Sequence, residues 1–556
     1  MNTKLQKVLG ALLMLIALPV SAYDLEIDGI YYTVTSFTDF TCSVTYGDKQ
    51  YKGTVVIPPT IVYNGRTLTV TGVEENAFSR YGTSSTLRDN AIHSLTIPNT
   101  ISSIPNDALY YCTSLDSLII QDGDTEIDLG RSSKHSSGNN YHGPLHNTPT
   151  SYIYVGRNLK KRRYCYYSSN YNTQNYYYYD QFYSTNIKVA EIGDKVTSMP
   201  FFYKSEELEK VILSKESDIE IGDSIFMGCS KLSDISENNN VSKIGNKSFY
   251  ECSNLKSISF PNAQTIGYYA FYNCQSLESV SIPNAQTIGF GAFSSCSNLE
   301  SVSIPNAQTI GYDAFEKCSN LASVSIPNAQ TIGSSAFYGC SSLASVSIPN
   351  AKTIGGSAFY GCSSLKSVSI PNAQTIGTGA LGNTAITDIV IPNRVKVLND
   401  IFPNCIQSIT LGDSIESIAS GAFTKSGLKT INIYTATPPT LSESACGNAQ
   451  YLNVNVNVPV GAKEAYMNAD VWKNFWSINE VLSTGIESIA DTSADLAFSS
   501  TSDGIILSGA DGQNVKVYGI GGEEVLSISN YHGQSLSLPK GIYIVKAGKK
   551  ALKVRL

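Results

Sequence analysis

A chain of 556 residues is too long for one ordinary core and must be several domains or one elongated repeat body. Charged residues make up only 15%, and the formal net charge is −7. That leaves no basic face and excludes nucleic acid as a partner on electrostatic grounds. The chain begins with an export address: Lys4 and Lys7, an apolar run from Val8 to Leu18, then the small residues Val20-Ser21-Ala22 before Tyr23. This is the layout of a secretory signal peptide over 1–22, too short and wrongly flanked for a membrane span. Nothing later in the sequence is apolar for long enough to cross a membrane, so no transmembrane segment is expected.

Beyond the signal, two strand-and-turn units stand out. Val55-Val56-Ile57-Pro58 is followed by Asn76-Ala77-Phe78, and Leu95-Thr96-Ile97-Pro98 by Asp107-Ala108-Leu109. Between 121 and 200 the pattern breaks. Residues 130–143 are Gly/Ser/Asn-rich and read as a loop, Tyr152-Ile153-Tyr154-Val155 reads as a strand, and Lys160-Lys161-Arg162-Arg163 runs into a tyrosine cluster that includes Tyr176, Tyr177, Tyr178 and Tyr179. Insertions in repeat bodies project from one face and often carry binding, and basic plus aromatic residues suit acidic glycans or sugar rings. The competing reading is a solvated loop that covers one coil. His135, His142 and His146 lie nearby, but their spacing on a loop without Asp, Glu or Cys defines no metal site.

From Glu251 the chain repeats itself. Cys252, Cys274, Cys296, Cys318, Cys340 and Cys362 recur at a constant 22-residue interval, within units such as CSNLESVSIPNAQTIGYDAFEK. A fixed period of this length means one supersecondary unit per turn of a stacked coil. Leu277, Val280 and Ile282 alternate as in a short strand, and Pro283 ends it by removing a donor. Ile288 points inward and Gly289 gives the turn backbone freedom. Ala292, Phe293, Cys296 and Leu299 fall on one helical face. The expectation is one short strand and one helical turn per unit, with Phe293, Phe315, Phe337 and Phe359 forming an inner column. Asn284, Asn306, Asn328 and Asn350 would stack at roughly 4.8 Å, and the Ser281, Ser303, Ser325 and Ser347 row would face outward. Cysteines number 12. Those after the turn read as a buried thiol ladder, since stacked neighbours sit slightly too far apart for an unstrained bridge; disulfides or a metal ladder are the alternatives.

An end unit follows from Ala436 to Val481, with Thr437-Pro438-Pro439, Val458-Pro459-Val460-Gly461 and Trp472-Lys473-Asn474-Phe475. The last coil needs a lid, and Trp472 with Trp476, spaced i, i+4, could supply it; sugar stacking is the alternative role. From Thr484 the composition turns to Ser, Asp and Ala, a linker. Short strands then follow at Gly504-Ile505-Ile506-Leu507, Val515-Lys516-Val517-Tyr518 and Gly541-Ile542-Tyr543-Ile544-Val545, which read as a small β-sandwich.

The unit C-s-x-L-x-S-V-S-I-P-x-x-x-x-I-G-x-x-A-F resembles the BspA-like leucine-rich repeats of bacterial surface proteins, and Asp28-Gly29-Ile30-Tyr31-Tyr32 resembles that family's N-terminal start. The tail, through Val517-Tyr518 with Gly521, Leu538-Pro539-Lys540-Gly541-Ile542-Tyr543 and Lys553-Val554, resembles the type IX secretion C-terminal sorting domain of Bacteroidetes. Together these resemblances imply a leucine-rich-repeat-like solenoid plus a small C-terminal β-sandwich. The segments would be a signal peptide (1–22), N-terminal leucine-rich repeats (23–120), an irregular tyrosine-rich insertion (121–200), a repeat solenoid (201–435), a capping unit (436–483), a linker (484–503) and a sorting domain (504–556). They imply an exported surface or secreted protein that binds host proteins, glycans or other cells, with the type IX machinery as a further partner.

No nucleophile motif, phosphate loop, metal helix or cofactor fingerprint appears, so neither an enzyme nor a cofactor is expected. The alternatives are a secreted polysaccharide-acting enzyme, which would need about 100 residues of catalytic domain, or a purely structural coat. Within the near-identical turns, the variable positions are the pair after the repeated Gly, the pair before the Cys, and the residue after Leu. The first pair gives Tyr268-Tyr269, Phe290-Gly291 and Tyr312-Asp313, an aromatic strip that competes with the tyrosine insertion as the binding surface.

Overall fold

The 22-residue period closes through hydrogen bonds between corresponding residues of successive turns. The computed structural model describes residues 23–78, 91–109, 112–130, 145, 148–160, 163–167, 174–178, 182, 185–216, 218–236, 240–425, 427–481, 497–501, 504–508, 510–519, 524–533, 536–538, 542–548 and 550–555. They fall into two compact units, Met1–Pro392 with Leu398–Ile406 and Lys425–Gly427, and Asn393–Val397 with Gln407–Thr424 and Leu428–Leu556.

In the first unit each regular turn carries two short strands, where the sequence suggested one. Ser279–Ser281, Ser301–Ser303 and Ser323–Ser325 pair in parallel with Val280 opposite Val302 and Val302 opposite Val324. Two-residue strands form a second ladder: Thr287–Ile288 pairs with Thr309–Ile310, then Thr331–Ile332, Thr353–Ile354 and Thr375–Ile376. The isoleucines of that ladder are buried and the threonines exposed. A two-residue strand shows no alternation to read, which is why the second ladder is silent in the sequence.

The expected helical turn is also replaced. Phe293 N–H donates to Ala314 O at 2.8 Å and Phe315 N–H to Ala336 O at 2.7 Å, so these amides bond to the next turn and not along a helix. Each turn has two left-handed residues, Tyr269 and Asn273, then Gly291 and Ser295, then Asp313 and Lys317. A left-handed residue ends a helix, so the pattern Ala-Phe-x-x-Cys-x-x-Leu winds as successive tight turns.

The core is built of columns. Phe271, Phe293, Phe315, Phe337 and Phe359 are fully buried, with ring centroids 5.1–5.3 Å apart and planes within 5° of parallel. Next to them Cys296 Sγ donates to Phe271 O, Cys318 to Phe293 O and Cys340 to Phe315 O, each at 3.1 Å. The thiols are free and buried, and small enough to fill the corner while satisfying a carbonyl of the turn before. Burial pushes the Cys252, Cys274, Cys296, Cys318 and Cys340 thiols far above their ordinary range.

Gly289 has a different job from the one expected. Its φ is not left-handed; a Cβ there would lie 2.7 Å from the carbonyl carbon of Gly267. Gly311, Gly333 and Gly355 meet the turn before them in the same way. The column is glycine because adjacent backbones touch.

The ladder also runs through 121–200, where the sequence suggested an irregular insertion. Tyr152–Arg157 and Val189–Lys195 pair in parallel, and both belong to a seven-stranded sheet that starts at Lys52–Val56. Leu118, Ile153 and Ala190 are consecutive partners, so the spacing between turns is stretched and the period vanishes from the sequence while the register survives. Arg157, fully buried, donates to Asn99 O (2.8 Å), Pro98 O (3.0 Å) and Ile101 O (2.6 Å), fastening the next strand to an earlier turn. Before these turns, Leu25–Ile27, Ile30–Ser36, Thr41–Thr45, Thr60–Tyr63 and Arg66–Val73 form a mixed five-stranded sheet. Tyr31 of this sheet touches Tyr51, just ahead of Lys52–Val56, and Tyr51 touches Phe78, a chain of ring contacts at the first end of the core.

In the second unit Ser408–Leu411, Thr430–Ile433, Asn455–Pro459 and Ser477–Val481 form a parallel ladder. Its lid uses Trp472 but not Trp476. Trp472 is fully buried, its Nε1–H donates to Pro439 O at 2.8 Å, and it packs edge-on to Tyr466, whereas Trp476 is 80% exposed. The tail has a hairpin, Ala497–Thr501 with Gly504–Ser508, and a four-stranded antiparallel sheet ending in Ile542–Ala547 and Lys550–Arg555. Ile505, Leu507, Val517, Tyr531 and Val545 share one buried cluster between them.

Candidate functional site

The variable positions of the turns acquire a geometry. The second residue after the repeated Gly is left-handed: Tyr269 (φ 55°), Gly291 (58°), Asp313 (53°), Ser335 (55°) and Ser357 (54°). The first residue of the pair is exposed where it is tyrosine and partly covered where it is Phe290 or Ser334. Tyr268 and Tyr312 are 61% and 59% exposed, and both project from turns whose equivalents elsewhere are Ser334 and Gly356.

The strip is not uniform. Tyr269 and Phe290 pack edge to face at 4.7 Å and are half-buried, with the Tyr269 ring lying over the space a Cβ of Gly291 would need. Tyr272 joins them, 5.6 Å from Tyr269 and stacked at 4.7 Å on Tyr250. Tyr250 escaped the sequence reading because it stands before the first strictly regular unit. The structure therefore brings Tyr269, Phe290, Tyr272 and Tyr250 into one cluster and leaves Tyr268 and Tyr312 as free rings at its edge.

The competing insertion folds as an antiparallel hairpin of Arg163–Tyr167 and Gln174–Tyr178, with Tyr176 opposite Cys165, Tyr177 opposite Tyr164 and Tyr178 opposite Arg163. Tyr179 lies outside the described residues, as do His135, His142 and His146. In the parallel ladder, Tyr154 Oη–H donates to Asp122 Oδ1 at 2.8 Å and Tyr152 Oη–H to Glu191 Oε2 at 2.7 Å. Burial, reinforced by Glu191, raises Tyr152 to about 12. These phenols are bonded across turns and hold them together. Among the described residues no cluster of three or more His, Cys, Asp or Glu could hold a metal ion, and no helix is long and apolar enough to cross a membrane.

A second surface arises where no single turn announces it. In each N-A-Q segment the alanine is buried, so the Asn and Gln on either side of it point the same way, outward. Stacking turns this into a groove of about 670 Å³ lined by Asn262, Asn284, Asn306, Asn328 and Asn350 on one side and Gln264, Gln286, Gln308, Gln330 and Lys352 on the other. The asparagine column is satisfied partly by itself and partly by the backbone of the turn before. Asn306 Nδ2–H donates to Asn284 Oδ1 at 3.1 Å, and Asn328 and Asn350 donate to Pro305 O and Pro327 O at 2.9 and 3.0 Å. The glutamine column is different: the side chains of Gln264, Gln286 and Gln308 make no hydrogen bond, and Gln330 only accepts from Lys352 Nζ at 3.3 Å.

A family model described as the BspA type leucine rich repeat region matches the chain in six copies, over residues 69–133, 172–299, 286–407 and 374–493. Among solved structures, the chain is similar to a leucine-rich repeat protein from Bacteroides ovatus (20% identity, TM-score 0.32, covering 74% of this chain and 95% of that one). It is also similar to a leucine rich cell surface protein from Faecalibacterium prausnitzii (18% identity, TM-score 0.26, covering 84% and 95%). A third similarity is to the pneumococcal vaccine antigen PcpA (16% identity, TM-score 0.27, covering 83% and 99%). The comparison with curated proteins gives no match. The family matches span more than half of the sequence, and the chain belongs to the BspA-type leucine-rich-repeat family.

Proposed function

We propose that this chain is an exported, non-catalytic display protein whose repeat body binds an extracellular protein, glycan or neighbouring cell. The signal-like start directs export, and the tail from Gly504, by its resemblance to a type IX sorting domain, carries the protein to the outer surface. The observation that supports binding is the pair Tyr268 and Tyr312. Two aromatic rings stand mostly in water on turns where Ser or Gly would satisfy the same backbone, beside the half-buried cluster of Tyr269 and Phe290. Exposed tyrosine combines a large contact area with little entropy to lose, which suits a recognition surface. Tyr176, Tyr177, Tyr178 and Tyr179 of the insertion are the second candidate surface.

The test is the double variant Tyr268→Ala/Tyr312→Ala, which spares the packed Phe290. Attachment to matrix-coated surfaces or to neighbouring cells should fall about tenfold or more, with the melting temperature unchanged. Attachment that survives this change and disappears on removing residues 160–183 assigns the site to the insertion. Attachment that survives both overturns the binding role and leaves a structural coat.

A further inference from the structure

From the amide groove we infer a second binding site, independent of the aromatic strip, for a linear neutral β-linked glycan lying along the stacked turns, one sugar to a turn. The lining repeats once per turn, at the strand spacing of roughly 4.8 Å. A regularly repeating site selects a regularly repeating ligand. The groove holds no carboxylate, and its one charge is Lys352 at its end, so an anionic polymer gains almost nothing there. No apolar side chain lines it, so a lipid or apolar peptide finds no wall.

What each turn offers is an amide, which donates and accepts at once. A sugar hydroxyl does the same, so every ring can exchange one hydrogen bond in each direction with its turn. The asparagines are held by the asparagine or the proline carbonyl of the turn before and present fixed edges. Gln264, Gln286 and Gln308, having no intramolecular partner, are free to bond the ligand. A peptide strand fits less well. It advances about 3.4 Å per residue and alternates its polar groups, so it drifts out of step with the turns. A sugar in an extended β-linked chain advances close to one turn interval per ring. Each glutamine loses rotamer freedom on binding, so single contacts are weak and affinity depends on how many turns the ligand spans.

The experiment uses the full chain and β-1,4-linked gluco-, manno- and xylo-oligosaccharides, from disaccharide to hexasaccharide, titrated by calorimetry. Affinity for at least one series should rise with length and level off near the number of turns in the groove. The variant Gln286→Ala/Gln308→Ala/Gln330→Ala should lose about tenfold or more in affinity with an unchanged melting curve, since all three side chains are exposed. Tyr268→Ala/Tyr312→Ala should bind these sugars as the parent does. Failure of every series, equal binding by the glutamine variant, or binding of heparin or an extended neutral peptide in place of the neutral sugars would each overturn the assignment. None of these outcomes touches the adhesion assay of the tyrosine variant.

Discussion

Gly289 and Gly291 stand two residues apart and are glycine for unlike reasons. The first is pressed against the Gly267 carbonyl of the turn before, where any Cβ collides with backbone. The second occupies a left-handed position that Tyr269, Asp313 and Ser335 fill in other turns. The sequence separates them only by constancy against variation; the reason is visible once turns are stacked. The contrast has a measurable form. Gly311→Ala places a Cβ 2.7 Å from the Gly289 carbonyl carbon and should destabilise by about 3 kcal/mol, because backbone cannot step aside as a flexible side chain can. Gly339→Asn, at a left-handed position that Asn273 already occupies a few turns away, should change stability by less than about 0.5 kcal/mol. Urea unfolding of the two variants decides it, and equal losses would mean the column does not pack as described.

At the scale of elements, the columns behave as units. Burial raises the Cys252, Cys274, Cys296, Cys318 and Cys340 thiols in the folded chain, whereas unfolded they ionise near about pH 8.5. Between those two limits the folded state keeps its protons and the unfolded state has released them, so stability is full below about pH 8.5 and declines as pH rises above it. Each thiol adds about 1.4 kcal/mol per pH unit to that slope. A melting temperature that falls steeply from pH 8 to 10, and falls less when Cys296 and Cys318 are replaced by Ala, is the expected result; a flat profile would place the thiols in contact with water. The columns were the legible part of the sequence, because Phe293, Cys296, Leu299 and Ile288 recur at one spacing and share one apolar character. The Thr287–Ile288 strand was not legible, being too short to alternate, nor were the left-handed positions, where Tyr269 and Lys317 carry no turn signature. The aromatic strip was found by its variation, whereas the amide groove stayed hidden in plain repetition. Asn306 and Gln308 become opposite walls only when neighbouring turns align them.

For the repeat body of the first unit as a whole, register matters more than length. Corresponding residues pair at an interval of 22 along the whole Thr-Ile ladder from Thr265–Ile266 to Thr375–Ile376, and each turn is stacked on its neighbours. Excising residues 297–318, one whole period, should leave a chain that unfolds cooperatively with the same circular-dichroism signature. Removing one residue fewer should break the Phe and Cys columns and melt markedly earlier; indistinguishable melts would mean the period is not what aligns the turns. The ladder bonds that set this register run from turn to turn, across the strands, and that direction gives the body a mechanical character. A pull on the chain ends loads one row of bonds at a time, so a turn peels away while its neighbours stay closed. Each turn that lets go releases 22 residues of slack, about 75 Å of extended chain. A repeat body built this way yields to a tug in small instalments, lengthening under strain while the turns still closed keep their surface intact.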